Sequence, residues 1–370
     1  MRESSSHNLF IIVLSEHPTL GMLLLPYIAE SSPEREELCL VEQAFHLSPK
    51  TVAQMSKTEQ KAIEIASHYT EKYLMTVYSK DKTIPKFLRR LTEEPEKLRN
   101  VRLFIEKKLQ EMMELIRTCN LPLYQKQSRS KLLYPHHAYH VNQKDVEVHF
   151  SFEVNNQSFN YQLQCYSEGK AIPLTELKPV TTLTSNPAIL LLGMEVYIFQ
   201  HIESSRLLPF TKKTHISVDA SLTEKYIDNI LIPVARYHNI DVQGLDVKKE
   251  KRICECLLYI EDTIYHTPLL RLNFRYGDQV FSPQPTDGIK RFIFRETQEG
   301  RSVIRYFRRT PDIEKEAIFL LQNAGLEAIS DSHFKLSENA PEKSINEWVA
   351  HHRTMLQESF VLTSGIQDKP

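Results

Sequence analysis

Nine basic residues fall within residues 271–309, where apolar and polar residues alternate as they do in β-strands. The stretch also holds four acidic residues, so its charge is 9 − 4 = +5, whereas the whole chain has a net charge of −1. Guanidinium groups stay charged and bind phosphate oxygens in pairs. The alternation predicts a phosphate-contacting sheet face with six arginines: Arg271, Arg275, Arg291, Arg295, Arg301 and Arg305. Arg308 and Arg309 follow this set directly and complete the candidate residues.

The same arginines allow a second interpretation, in which they lie on a solvated sheet face. Runs of charge usually mark exposed surfaces, and acidic residues elsewhere in the chain could then pair with the guanidinium groups. The sequence leaves both interpretations open.

Histidines are concentrated at His136, His137 and His140. A zinc site takes three or four protein ligands, and this spacing offers at most two on one face of a helix or strand. His351 and His352 fall in a predicted helix, where packing or solvent contact explains them. We therefore expect no metal site and no cofactor.

Asp241, Asp246 and Lys248 have the residue types of a metal-dependent nuclease, in which carboxylates hold Mg²⁺ and a lysine lies near the attacked phosphate. The interval between the two aspartates is short for such a site. The charged residues 248–252 are typical of an exposed turn. A nuclease is therefore kept only as an alternative.

The spacing of the nine glycines excludes several enzyme classes. The closest two, Gly277 and Gly288, are 11 residues apart, whereas phosphate-binding loops need clustered glycines. Neither the P-loop motif, nor G-x-G-x-x-G, nor G-x-S-x-G can be written in this sequence. We expect no enzymatic activity from this chain.

Cysteine usage and hydropathy indicate a cytoplasmic protein. The five cysteines are scattered and contain no C-x-x-C pair, which fits a reducing compartment. The apolar run Leu9–Leu14 is too short for a signal peptide, and the longest apolar run, Pro187–Phe199, is too short for a membrane span.

The elements that must position these residues predict an α+β fold of two or three domains, with antiparallel sheets and helical insertions. Strands are predicted before residue 45, with Pro26 near a sheet edge. Helices are predicted to open at Ser56, Glu94-Pro95, Leu222, Thr310 and Ser344. A hairpin is predicted to turn at Asn155-Asn156, and Lys126–His140 is predicted to be a linker or exposed loop. The predicted domains are 1–125 (strands and a helical hairpin), 141–265 (β-rich with one helix) and 266–366 (the basic sheet and two capped helices).

Three segments, 270–281, 305–326 and 344–360, resemble the region that precedes the motor in bacterial SNF2-family helicases. The resemblance rests on a strand with Phe274, Tyr276 and Gly277, then on Arg309, Ile313-Glu314 and Gly325-Leu326. The opening Phe10–Ala29 also resembles the start of such proteins from Bacteroidetes.

The resemblance implies that the full protein is an ATP-driven translocase on duplex DNA. Its motor motifs are absent from this sequence, so we expect a non-catalytic N-terminal fragment that contacts DNA, a partner protein or the motor lobes of the same parent chain. The DNA interface would use the eight arginines, with weak, salt-sensitive and sequence-tolerant binding. A protein–protein scaffold is the alternative function, next to the nuclease.

Overall fold

The computed structural model describes residues 7–32, 37–126, 130–262, 268–283, 289, 291–298 and 301–364, which form an α+β fold as predicted. The chain divides into two compact units. The first comprises Met1–Ser151 and Asn160–Ser217, and the second Phe152–Phe159 and Val218–Pro370. The three predicted domains, with their boundaries at 125, 141 and 266, stay a prediction.

A five-stranded sheet begins the first unit. Its strands are β1 (His7–His17), β2 (Gly21–Ser32), β3 (Glu37–Gln43), β4 (Leu123–Gln125) and β5 (Leu132–Leu133). Their order is β4-β1-β2-β3-β5. β1 and β2 form an antiparallel hairpin, and β4 lies parallel to β1.

Five α-helices separate β3 from β4. They are α1 (Pro49–Ala53), α2 (Lys57–Ser67), α3 (Glu71–Tyr78), α4 (Ile84–Glu93) and α5 (Pro95–Cys119). The predicted capping box of α2 is present, since Ser56 and Glu59 each accept a hydrogen bond from the backbone N–H of the other. α5 begins at Pro95 as predicted. Its predicted stripe is buried from Val101 to Ile116.

The rest of the first unit contains β6 (His140–Val141), β7 (Glu147–Val154), β8 (Ser158–Ser167), β9 (Lys170–Ala171), β10 (Val180–Thr184), β11 (Ala188–Leu192), β12 (Glu195–Phe199), α6 (Ser204–Leu207) and β13 (His215–Asp219). One sheet has the order β10-β11-β12-β6. Side chains from this sheet, from β1 and β2, and from α2, α4 and α5 form one hydrophobic core. The hairpin of β7 and β8 turns at Asn155, as predicted. Its tip belongs to the second unit.

Two sheets follow in the second unit. Its strands are β14 (Asn239–Gln243), β15 (Asp246–Lys249), β16 (Cys254–Asp262), β17 (Pro268–Tyr276), β18 (Gln279–Phe281), β19 (Phe292–Gln298), β20 (Arg301–Phe307), β21 (Leu326–Ala328), β22 (His333–Leu336) and β23 (Val361–Ser364). The larger sheet has the order β21-β22-β17-β16-β23, with β18 beside β17. The smaller has the order β15-β20-β19.

Helices of the second unit contact both of its sheets. They are α7 (Thr223–Tyr226), α8 (Ile232–Ala235), α9 (Pro311–Asn323), α10 (Ile345–His351) and α11 (Arg353–Ser359). A π-helical turn, Ile227–Leu231, joins α7 to α8, so one continuous segment over residues 223–235 takes the place of the helix predicted at 222–237. The core packs Leu272, Phe274 and Tyr276 of β17 against side chains of α9, α10 and α11, including Trp348.

Three local predictions need correction. Pro26 lies in the central strand β2 and not at a sheet edge. The pairing of β2 with β3 ends at Tyr27. Pro26, which has no N–H to donate, therefore leaves no hydrogen bond to β3 unmade. Residues 126–140 contain β5 and a short 3₁₀ turn, with Leu133 and His137 buried. Such short elements show no sequence period. The helix predicted after Ser344 is divided into α10 and α11 at His352.

None of the helices in the described ranges has both the length and the apolar character needed to cross a lipid bilayer. α5 is the longest of those helices, and charged residues are spread along it.

Candidate nucleic-acid interface

Arg271 and Arg275 project from β17 on the side opposite to its buried aromatic residues, as predicted. Both are paired with acidic residues of the neighbouring strand β16. Arg271 Nε lies 2.7 Å from a carboxylate oxygen of Glu261, and Arg275 Nε lies 2.5 Å from one of Glu255. Asn273, between the two arginines, is buried, so this face is not uniformly open to solvent.

Arg295 and Arg305 also have acidic neighbours. Arg295, on β19, lies 3.2 Å from Asp228 of the π-helical turn. Arg305, on β20, lies 2.8 Å from Glu250 and 2.8 Å from Glu296. The hydrogen bond from Arg305 lowers the pKa of the Glu250 carboxyl from its usual value. These four arginines are therefore largely neutralised within the second unit.

Arg309 forms the most buried ion pair in this region. Its Nε and Nη2 atoms donate to the two carboxylate oxygens of Glu314 at 2.7 and 2.6 Å, and both side chains are 7% exposed. The hydroxyl of Tyr276 also donates to Glu314 at 2.6 Å. The backbone N–H of Thr310 donates in turn to that hydroxyl. A guanidinium held in this way is not available to an external phosphate.

Arg291 and Arg308 differ from the other candidates, because no carboxylate of the described residues pairs with either. Arg291 is 9% exposed, and its Nε has no hydrogen-bond partner among the described residues. Its guanidinium lies 5.7 Å from the ring centre of Tyr306. Burial and the positive charge of nearby Arg308 lower the pKa of Arg291. Arg308 itself is exposed.

Arg236 contacts Arg291 through its backbone. Its backbone carbonyl accepts a hydrogen bond from the N–H of Arg291 at 3.2 Å, and its exposed side chain forms no ion pair with a described residue. We call Arg236, Arg291 and Arg308 the unpaired arginine cluster.

The candidate arginines therefore do not form the single sheet face that the alternation predicted. Arg271 and Arg275 lie on the larger sheet, whereas Arg295 and Arg305 lie on the smaller one. Alternation fixes the face of each residue within its own strand, but it does not say which strands share a sheet. Lys290 and the side chain of Arg301 lie outside the described residues.

A family model described as bacterial SNF2 helicase associated matches residues 102–340, well over half of the chain. The chain belongs to this family. No curated protein and no solved structure matches it. Membership confirms the resemblance to accessory regions of bacterial SNF2 helicases, and it is consistent with a non-catalytic role.

Four of the residues that carried this resemblance, Phe274, Tyr276, Arg309 and Glu314, come together in the SNF2-associated chain. Tyr276, Arg309 and Glu314 are the members of the buried hydrogen-bond network. The Arg309 guanidinium also lies 5.9 Å from the ring centre of Phe274. These motif residues therefore stabilise the contact between β17 and the start of α9. Their positions explain why the motif is a packing pattern and not a ligand-binding loop.

The two weaker sequence candidates gain little from the structure. Lys248 lies 2.9 Å from Asp246 on β15, and Asp241 lies on β14. Among the described residues neither aspartate belongs to a group of three potential metal ligands. The rings of His136 and His137 lie 4.3 Å apart, and within the described ranges these histidines belong to no group of three potential ligands.

Sequence reasoning missed Arg236 as a candidate, because it precedes the basic stretch by 35 residues and follows a helix instead of lying on a strand. The sequence did contain one signal. The helix predicted at residues 222–237 has apolar residues that must pack against another element, and the basic strands that follow are candidates for that element. The partner strand, β19, is nevertheless decided by tertiary packing.

Proposed function

We propose that this SNF2-associated chain is a non-catalytic accessory region of an SNF2-type ATPase. We further propose that it binds the phosphate backbone of duplex DNA through the unpaired arginine cluster. The observation that carries the proposal is the buried Arg291 guanidinium, which has no carboxylate partner among the described residues and lies near the like charge of Arg308. Burying an uncompensated charge is costly, and two neighbouring positive charges raise that cost. A phosphate group placed beside them would relieve both penalties.

This interface is smaller than the sequence suggested. Five of the eight candidate arginines are paired inside the second unit, so they are expected to contribute little to phosphate binding: Arg271, Arg275, Arg295, Arg305 and Arg309. A contact limited to a few cations fits weak, sequence-tolerant binding, because phosphate contacts do not distinguish bases.

The test is fluorescence anisotropy with labelled duplex DNA at several salt concentrations. Arg308→Glu should weaken binding several-fold and reduce the slope of log affinity against log salt by about one. Arg89→Glu is the matched control, since Arg89 is an exposed residue of α4 and its substitution changes the net charge equally. Equal effects of the two substitutions, or an affinity that does not change with salt, would contradict DNA binding by this cluster.

A contact with the motor lobes is the second candidate function, and two exposed apolar side chains favour it. Ile253, just before β16, is 79% exposed, and Phe319 of α9 is 59% exposed. Large apolar residues at the surface are typical of protein interfaces when they form part of a patch. Binding to purified SNF2 motor lobes should weaken in Phe319→Asp but not in the control Leu103→Asp, which alters an exposed leucine of α5. Isothermal titration calorimetry measures the affinity of each variant for the motor lobes. Equal affinities of the Phe319→Asp and Leu103→Asp variants would refute this role for Phe319.

A further inference from the structure

Glu342, His351 and His352 form a cluster at the break between α10 and α11. Their potential ligand atoms all lie within 4.8 Å of one another, and no other such group of three occurs in the part of the chain that the structure describes. His351 Nδ1 lies 2.6 Å from Glu342 Oε1, and His352 Nε2 lies 3.7 Å from the same oxygen. The cluster follows the region matched by the family model, which ends at residue 340.

Neighbouring histidines in a regular helix point in different directions, so they cannot readily bind the same group. His351 and His352 avoid this restriction because α10 ends between them. His351 is the last residue of α10, and His352 has φ −94° and ψ 17°, outside regular helix geometry. As a result the two imidazole rings are nearly parallel, with an angle of 15° between their planes. Both rings can therefore present a nitrogen to the same carboxylate.

The carboxylate of Glu342 is the second observation that indicates a ligand. Its side chain is only 6% exposed, and its Oε2 atom is buried with no hydrogen-bond partner among the described residues. A buried carboxylate oxygen without a partner is unfavourable, and coordination of a cation is one of the ways in which proteins satisfy it.

We propose that Glu342, His351 and His352 bind a divalent transition-metal ion of the zinc class. Two imidazole nitrogens and one carboxylate oxygen are a ligand set found for Zn²⁺, whereas Mg²⁺ and Ca²⁺ prefer oxygen ligands alone. Metal–ligand bonds of about 2.0–2.2 Å require ligand atoms a little over 3 Å apart in a tetrahedral site. The distances of 2.6 and 3.7 Å from Glu342 Oε1 fall on either side of that value, and all three potential ligand atoms lie within 4.8 Å of one another. His351, 66% exposed, leaves the fourth position open to water.

A metal ion here would connect the segment before α10 to the end of that helix. Glu342 precedes the N-cap residue Ser344, and His351 and His352 end α10. The ring of His352 also packs on Trp348, with ring centres 4.9 Å apart, and Trp348 is fully buried in the core of the second unit. Metal binding should therefore stabilise this part of the second unit.

Trp348 provides the readout, because it is the only tryptophan in the chain. We would remove bound metal from the purified chain with a chelator and titrate it with Ni²⁺ while measuring tryptophan fluorescence. Saturable quenching at one Ni²⁺ per chain is expected. Zn²⁺, with its filled d shell, should restore the fluorescence by displacing Ni²⁺.

Three variants decide between a metal site and a simple hydrogen-bonded pair. His351→Gln alters an exposed side chain and should weaken Ni²⁺ binding by about tenfold or more, as should Glu342→Gln. His136→Gln is the matched control, since it removes one of two adjacent histidines that belong to no group of three potential ligands among the described residues. Absence of saturable quenching, or equal binding by His351→Gln and the original chain, would overturn the proposal. His351→Gln keeps the test valid even if Glu342→Gln impairs folding.

Discussion

Replacing Glu314 with alanine should strongly destabilise the second unit, because the substitution leaves the Arg309 guanidinium buried without its partner. Both side chains are 7% exposed, and Glu314 accepts hydrogen bonds from two guanidinium nitrogens and from the Tyr276 hydroxyl. Removal of one partner of a buried ion pair costs about 3–5 kcal/mol. The stability of a whole domain is about 5–15 kcal/mol, so the loss is a large fraction of it.

Urea denaturation followed by Trp348 fluorescence measures this effect, because Trp348 and Tyr276 belong to the same hydrophobic core. With a urea dependence of about 2 kcal/mol per molar, the transition midpoint should fall by about 2 M. Glu255→Ala is the control, since its ion pair with Arg275 is 40–47% exposed. Exposed pairs contribute about 0–1 kcal/mol, so the control midpoint should fall by less than about 0.5 M.

A midpoint for Glu314→Ala that falls no further than that of Glu255→Ala would refute this reasoning. A double variant, Arg309→Met with Glu314→Met, separates charge burial from packing. Since it removes both charges, it should recover much of the lost stability. If it is as unstable as Glu314→Ala, then the hydrogen bonds to Tyr276 and the backbone carry the stability, and not the balance of charge.

Two further predictions concern a glycine and a thiol. Gly244→Ala should lower the free energy of unfolding by at least about 2 kcal/mol in urea denaturation followed by circular dichroism. Gly244 has φ +80°, and a Cβ atom would lie 1.8 Å from the Val154 carbonyl oxygen; Gly169→Ala, with φ +78° and open space, should cost only about 1 kcal/mol. A hydrogen bond from Cys256 lowers the pKa of Cys254 to about 7, so alkylation of Cys254, followed by mass spectrometry, should reach half its maximal rate near pH 7. In Cys256→Ala the midpoint should move upward, and an unchanged midpoint would contradict the stated cause.

Three predictions that rest on neighbouring residues are confirmed. The capping box of Ser56 and Glu59, the start of α5 at Pro95 and the turn at Asn155 were all placed correctly. Each depends on hydrogen bonds or backbone preferences within a few residues, so the local chain contains the necessary information. Pro26 was misplaced because a sheet edge is a property of the strands on either side.

The candidate site was predicted only in part, for a similar reason. Alternation correctly placed Arg271 and Arg275 on the side of β17 opposite to the core. It could not show that Glu261 and Glu255 lie beside them on the next strand. It also gave no sign that Arg291 would be buried with no carboxylate of the described residues beside it.

The amino-acid sequence by itself determined that this chain has strands with alternating arginines, capped helices and no nucleotide-binding glycine loop. It also carried the resemblance to SNF2-associated regions that the family match confirmed. Only the tertiary structure decided which charges are neutralised and which are not, because ion pairs and buried clusters join residues that are far apart in the chain. Arg305 and Glu250, 55 residues apart, show this dependence, and so does the contact of Arg291 with residue 236. Coulomb interactions depend on distance in space and on burial, and neither can be read from a linear sequence.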